Sequence, residues 1–425
     1  MMNIKTVESN ILNDKYYVID HSSGLRIYVY PKEGYRSTYA IIGTKYGSVN
    51  TKFRVDDGDV ITVPDGIAHY LEHKLFESED GDAFARYAKT GASANAYTSF
   101  EKTCYLFSCT NNFEQSLEIL LDFVQSPYFT AETVAKEQGI IGQEIKMYDD
   151  SPNWRVMFNC LVGMYHNHPV KIDIAGTVES IAEITAEKLY ECYNSFYNLN
   201  NMALCIAGNT NVEQVLEIAD RMLKPNKKQK IENFFPDEPY EVAQEYIEQK
   251  FPVTIPLFYL GFKENIGEKP ATSRQLAATD ILLSVLASSS GTLHSKLMDE
   301  GLINETFSFE YMEGPGYASV LFGGESRNPK KAAQIIKDAI RELKENGIDK
   351  EDFELAKRSV YGNTVSGFNS NETIANVLVE MEFNGRELFE YVEAIANATI
   401  EDIENRLDEI LDPDNCTLSV VCGDE

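Results

Sequence analysis

At 425 residues, 43% hydrophobic and 25% charged, the chain has the composition of a globular protein with more than one core. Its 67 acidic against 38 basic residues give a formal charge of −29, which argues against nucleic acid as a partner and is compatible with neutral or basic peptides. No run of about 18 apolar residues occurs, so neither a membrane span nor a membrane partner is expected.

The N-terminus, Met1 to Glu8, has no apolar signal core and no Arg-rich transit character, which predicts a chain that stays in the cytoplasm. The seven cysteines (104, 109, 160, 192, 205, 416 and 422) lack Cys-x-x-Cys spacing. They read as reduced, mostly buried thiols and not as a disulfide frame.

The first predicted strands are Leu25–Tyr30, ending at Pro31, and Thr38–Tyr46, closed by Gly47. A helix is predicted after Gly66 through Asp65-Gly66-Ile67-Ala68-His69-Tyr70-Leu71-Glu72-His73, and another from Phe84 to Lys89, stopping at Gly91. The run Ala92–Phe100, rich in small residues, and Tyr105–Cys109 predict a hairpin. Its Ala and Ser positions leave room for something to lie against the strand, or allow close packing on a helix.

Helical periodicity returns from Phe113 to Gln125 and again from Thr130 to about Tyr148. The second of these helices carries Glu137 and Glu144, seven residues apart and so on one face. Ile140, Ile141, Ile145 and Met147 around Glu144 predict that this part is buried, where a carboxylate needs a partner such as a metal. His166 and His168, beside Pro169, are a weaker metal candidate against a packing role.

On a helix His69 and His73 project from one face, one turn apart, with Glu72 at its border. Such a pair can also be ordinary and half-buried, but the chain has only 6 His. The order His-x-x-Glu-His is the inverzincin signature: two nitrogen ligands, with a base beside the bound water. With Glu144 as third ligand, one position stays open for water, whose pKa zinc lowers to about 7. Glu72 then serves as general base and Glu137 as the supporting acid. Manganese or cobalt would also suit the ligand set.

A strand at Asn201–Gly208 closes the first half. The composition shifts at Lys224–Lys230 and Phe235–Pro239, which predicts a linker. Beyond it Ile255–Phe262 reads as a strand in the place of Tyr39–Tyr46, Ala332–Leu343 mirrors Phe113–Gln125, and Asp349–Lys357 resembles Thr130–Lys136. Aligning Lys136 with Lys357 puts Arg358 at Glu137 and Val365 at Glu144. The fold is therefore predicted as α+β, two duplicated domains, each an antiparallel-rich sheet covered by helices. The boundaries are 1–224 (zinc-binding), 225–240 (linker) and 241–425 (a copy without metal).

Over nearly its whole length the chain resembles the pitrilysin/insulinase family of zinc metallopeptidases in its short, mitochondrial-processing-peptidase-like form. The likeness rests on His69-Tyr70-Leu71-Glu72-His73, on Asn95-Ala96-Tyr97-Thr98, and on Glu137 with Glu144, 71 residues after His73. It implies one zinc ion on His69, His73 and Glu144, with Glu72 as base and Glu137 in support. Asn95 and Ala96 would lie on an edge strand that takes an extended peptide substrate, the two domains facing each other across a chamber.

The likeness to bacterial YfmH-type members is close through Val63–Asp150 and Asp173–Ser180. It implies a paralogous partner lacking the zinc motif and a link to a translation-factor modification pathway. Where relatives carry an Arg and a Tyr seven residues apart, this chain has Leu297 and Asn304. That departure implies the zinc-bearing subunit of a heterodimer. The alternatives are a homodimer, or a peptide-binding or maturation-factor subunit with little general proteolysis.

Overall fold

The structure, a computed structural model, describes residues 3–79, 81–264 and 269–424. Strands β1 (Asn3–Ser9), β2 (Asp14–Asp20), β3 (Arg26–Pro31), β4 (Thr38–Thr44), β5 (Lys52–Val55) and β6 (Ile61–Thr62) precede helix α1 (Ile67–Leu75). A short hairpin, β7 (Glu77–Ser78) and β8 (Gly81–Asp82), leads to α2 (Ala83–Thr90), β9 (Ser93–Thr98) and β10 (Thr103–Cys109). Then come α3 (Phe113–Phe123), α4 (Ala131–Asp149), α5 (Pro152–Met164), α6 (Val178–Ile181), α7 (Ala186–Phe196), β11 (Met202–Gly208), α8 (Val212–Met222) and β12 (Ile231–Asn233).

The second half runs β13 (Tyr246–Lys250), β14 (Leu257–Lys263), α9 (Ser273–Ala287), α10 (Thr292–Asp299), β15 (Ser308–Gly314) and β16 (Tyr317–Glu325). It ends with α11 (Pro329–Asn346), α12 (Lys350–Gly367), α13 (Asn371–Phe383), α14 (Leu388–Asn397), α15 (Ile400–Ile410) and β17 (Cys416–Cys422).

Two compact units emerge, and they are interleaved in sequence. One comprises Met1–Ile145, Asp173–Phe234 and Ser366–Phe389; the other Lys146–Ile172, Phe235–Val365 and Glu390–Glu425. This departs from a sequential division at 225–240. Helix α5 belongs with the second unit and α13 with the first. The 225–240 stretch also contains a strand, since β12 pairs antiparallel with β5.

In the first unit the main sheet has the order β1-β2-β3-β11-β4-β10-β9, and in the second β13-β17-β14-β16-β15. Five strands correspond one to one. Each sheet joins a parallel pair (β3 with β11, β13 with β17) to antiparallel neighbours of a central strand, β4 or β14. This shared topology is what the predicted duplication requires.

Every residue of β4 is buried, because both faces of the sheet are covered. On one face Ala40 and Ile42 join the core built with Leu71, Leu120 and Leu189. On the other lies α13, so close to Gly43 that a Cβ there would stand 3.0 Å from both Cys104 Sγ and Val379 Cγ1. In the second unit Gly261 of β14 does the same for α5, where a Cβ would meet Met164 Sδ at 2.6 Å and Cys160 Sγ at 2.7 Å. Glycine in each central strand is thus a packing requirement, since it lets a helix approach the backbone.

The stretch Ser273–Asp299 is long and apolar enough to cross a membrane by composition alone. It forms two helices, however, and the apolar residues of α9 (Ala277, Ile281, Leu282 and Leu286 among them) are buried in the core of the second unit. Its hydrophobicity is that of a core helix.

Candidate zinc site

Helix α1 starts at Gly66, whose φ of +86° is left-handed and which faces the Ala175 carbonyl so closely that a Cβ would lie 2.3 Å from it. Ser180 Oγ donates to the Asp65 carbonyl at 2.8 Å, so the 173–180 segment closes over the start of the motif helix. Within its first half α1 is tied to α4: the Tyr70 hydroxyl donates to the Val134 carbonyl. These contacts fix the two helices that carry the candidate ligands.

His69 and His73 stand with ring centroids 4.6 Å apart, and Glu144 of α4 comes between them. His69 Nε2 is 3.7 Å from Glu144 Oε1, and His73 Nε2 is 3.4 Å from Glu144 Oε2. Both separations exceed the usual N–H···O range of about 2.7–3.2 Å. The His73 separation matches the edge of a coordination tetrahedron, roughly 3.3–3.4 Å for metal–ligand bonds near 2.0–2.1 Å, and the His69 separation is a few tenths of an ångström longer. Among the described residues these three are the group whose ligand atoms converge, all within 4.8 Å of one another. The donor set fits zinc.

The electrostatics fit too. Burial, with a contribution from His73, pushes the His69 imidazole down to about 3, so it is neutral, the form in which an imidazole can bind a metal. His73 moves the other way. Burial lowers it, but the hydrogen bond to Glu137 and the charges of Glu72, Glu144 and Glu137 raise it overall. His73 Nδ1 donates to Glu137 Oε1 at 3.1 Å, which fixes the tautomer and turns the Nε2 lone pair toward Glu144. That hydrogen bond holds Glu137, itself buried, below the ordinary carboxylate range. Among the described residues His69 has no such second partner; its buried Nδ1 is without a hydrogen bond.

Glu72 is only 8% exposed, and its Oε2 accepts from Thr98 Oγ1 at 2.7 Å. Burial raises the carboxyl, while the Thr98 hydrogen bond and His73 partly oppose. Thr98 ends β9, the edge strand of the sheet, and Asn95 and Ala96 lie on that same strand. Helix α1 packs beside β9, so a strand of small residues serves both close helix packing and an open edge. The exposed N–H of Ala96 donates to Asn95 Oδ1 at 2.9 Å, not into the ladder with β10.

Part of α4 around Glu144 is buried, as the sequence predicts: Ile141 and Ile145 are, whereas Ile140 and Met147 are 50% and 60% exposed, so α4 has one face in the core and one in solvent. For His168 the packing role holds. His168 is not a metal ligand. Its Nε2 meets the Pro315 carbonyl at 2.9 Å and its Nδ1 accepts from Val170 N at 3.1 Å, which occupies both ring nitrogens. Thr98 was not assigned a role by the sequence; its place between a small-residue strand and the motif helix was the available signal.

The duplicated copy has filled the equivalent place. Counting along the paired strands from Gly43 and Gly261, Tyr311 corresponds to Thr98. The Tyr311 hydroxyl donates to Glu264 Oε2 at 2.8 Å, and buried Arg406 donates to both Glu264 oxygens at 2.6 and 3.0 Å. A closed ion pair stands where the first unit has the Thr98–Glu72 hydrogen bond.

A family profile described as Insulinase (Peptidase family M16) matches residues 55–178, and one described as Peptidase M16 inactive domain matches 183–360. The chain is 40% identical over 432 residues to the uncharacterized zinc protease YmfH of Bacillus subtilis (strain 168), covering 98% of this chain and 99% of that protein. The bacterial likeness expected through Val63–Asp150 and Asp173–Ser180 thus extends over essentially the whole of both chains. A crystal structure of an M16-like peptidase from Alicyclobacillus acidocaldarius superposes with TM-score 0.92 at 35% identity, over 100% of this chain and 99% of that one. Pitrilysin shares the fold, with TM-score 0.75 at 17% identity over 98% of this chain and 46% of its own. Similarity to YmfH over essentially the full length of both chains makes this protein a member of peptidase family M16, the insulinase family.

Proposed function

We propose that the chain is a zinc-dependent endopeptidase acting on peptides or unfolded segments, with His69, His73 and Glu144 holding one zinc ion. The convergence of these three ligands beside a buried carboxylate, Glu72, carries the reading. Zinc bound there would polarise a scissile carbonyl and acidify a water molecule.

The remaining work falls to the chain. Glu72, whose carboxyl burial has raised, accepts the water's proton and delivers it to the leaving amine. Glu137 holds His73 in the ligating tautomer. Strand β9 offers its free edge to an extended peptide, which adds as a further strand once it displaces the Asn95 side chain from the Ala96 N–H. Binding of this kind recognises backbone first and side chains loosely.

The partner in this reading is a paralogue without the zinc motif, or else a second copy. Its support is the departure at 297 and 304: Leu297 is fully buried, and Asn304 Nδ2 is committed to Glu325 Oε2 at 2.6 Å. Neither supplies what an Arg/Tyr pair would. The same observation favours a second reading, a peptide-binding or maturation-factor subunit in a translation-factor modification pathway. The seven free cysteines support a cytoplasmic location.

The deciding experiment is cleavage of a quenched fluorescent peptide library by zinc-loaded protein, with Glu72→Gln as control. Hydrolysis that falls about 10²–10⁴-fold in the variant, while bound zinc is unchanged, supports the endopeptidase. Silence from the wild type, persisting after addition of the co-purifying paralogue, supports the binding subunit.

A further inference from the structure

We infer that Thr98 is a positioning residue for the general base, linking the substrate-binding strand to the proton-transferring carboxylate; this rests on the endopeptidase reading. Glu72 is buried, and the Thr98 hydroxyl donates to its Oε2 at 2.7 Å. A carboxylate has two oxygens, and a hydrogen bond to one fixes the plane and rotation of the pair. With Oε2 held by Thr98, Oε1 is the oxygen left to take a proton.

The hydroxyl is itself placed by its surroundings. Thr98 Oγ1 lies 3.4 Å from Thr103 Oγ1, and Thr103, fully buried, donates to the Tyr46 carbonyl at 2.9 Å. Thr98 and Thr103 are also register partners in the β9–β10 ladder. Thr98 is therefore tied to the first unit's core by its ladder pairing with the anchored Thr103, and to Glu72 by its hydroxyl.

This arrangement has a consequence for catalysis that sequence spacing does not suggest. Thr98 is two residues from Ala96, whose free-edge amide a substrate strand would engage. A peptide added to β9 is thus held by the same strand that sets the orientation of Glu72. Register on the edge and aim of the base share one rigid element, and near-attack geometry depends on such coupling.

The test compares Thr98→Val, which keeps the branched shape but removes the hydroxyl, with Thr98→Ser, which keeps the hydroxyl. Each is made alone and with Glu72→Gln. Two quantities are read on zinc-loaded protein: kcat and KM for a cleaved peptide, and the Kd of a peptidyl hydroxamate, which chelates the metal and hydrogen-bonds to the base.

The expectation for Thr98→Val is a fall of roughly 10–100-fold in kcat, a part of what a general base contributes, at unchanged KM. Its hydroxamate Kd rises about tenfold, zinc content stays at the wild-type level, and Thr98→Ser restores both quantities to within about threefold. Thr98→Val adds nothing in the Glu72→Gln background, the non-additivity expected of residues acting as a unit.

A hydroxamate Kd in Thr98→Val within about twofold of wild type overturns the inference, whether or not the protein cleaves peptides. So does an equal loss in Thr98→Ser, which marks a packing role. Wild-type protein that fails to cleave while the hydroxamate pattern holds overturns the endopeptidase reading and leaves Thr98 as the residue that orients Glu72.

Discussion

In Glu137→Ala, His73 loses the carboxylate that accepts its Nδ1–H at 3.1 Å, and an imidazole that has to present Nε2 to a metal is left free to change tautomer and rotate. Loss of such an outer partner typically weakens metal affinity 10–100-fold, or about 1.4–2.7 kcal/mol. The upper part of that range applies here, because Glu137 is buried and its hydrogen bond to His73 keeps it ionised. Glu137→Gln retains an acceptor without the charge, so it loses less than about tenfold.

The pH dependence is informative as well. His73 holds its proton above the ordinary value, so zinc affinity falls as pH drops through that raised pKa, and in Glu137→Ala the fall begins at lower pH. In metal-free protein the raised His73 contributes stability that is complete below the unfolded value near 6.5 and lost as pH rises through the folded one. The depressed Glu137 contributes stability present above about 4.3 and lost as pH falls through its lowered pKa. The melting temperatures of wild-type and Glu137→Ala apoprotein should therefore differ more at pH 5.5 than at pH 8.5. Competitive chelator titrations across pH, with thermal melts, measure both effects. A zinc affinity within twofold of wild type, with superimposable pH curves, would refute the supporting role.

Two further substitutions test the edge and the packing. Ala96→Pro removes the exposed N–H that bonds to Asn95 Oδ1, and proline is tolerated on an edge strand; KM for peptides should rise at least about tenfold, measured by steady-state hydrolysis, with zinc content unaltered. Gly43→Val forces methyl groups into the space between β4, Cys104 and Val379, and should cost about 1–3 kcal/mol of stability, read by urea unfolding with circular dichroism.

The sequence by itself determined the local half of the site. His69, Glu72 and His73 are related by helical periodicity alone, and any helix through them puts both imidazoles on one face. Gly66 and Gly91 bound the two helices α1 and α2 because left-handed backbone is intrinsic to the residue. Glu144 was legible as an acid among aliphatic neighbours on a predicted helix, though half of those neighbours face solvent.

Tertiary structure alone decided what depends on segments far apart in the chain. No local signal places α13 on the first sheet and α5 on the second; their only trace is a glycine in each central strand whose neighbour is a distant helix. Thr98 likewise reads as an ordinary strand residue until β9 is folded beside α1. Periodicity records which face of an element is apolar, whereas the identity of the surface that covers it emerges only when the chain closes on itself.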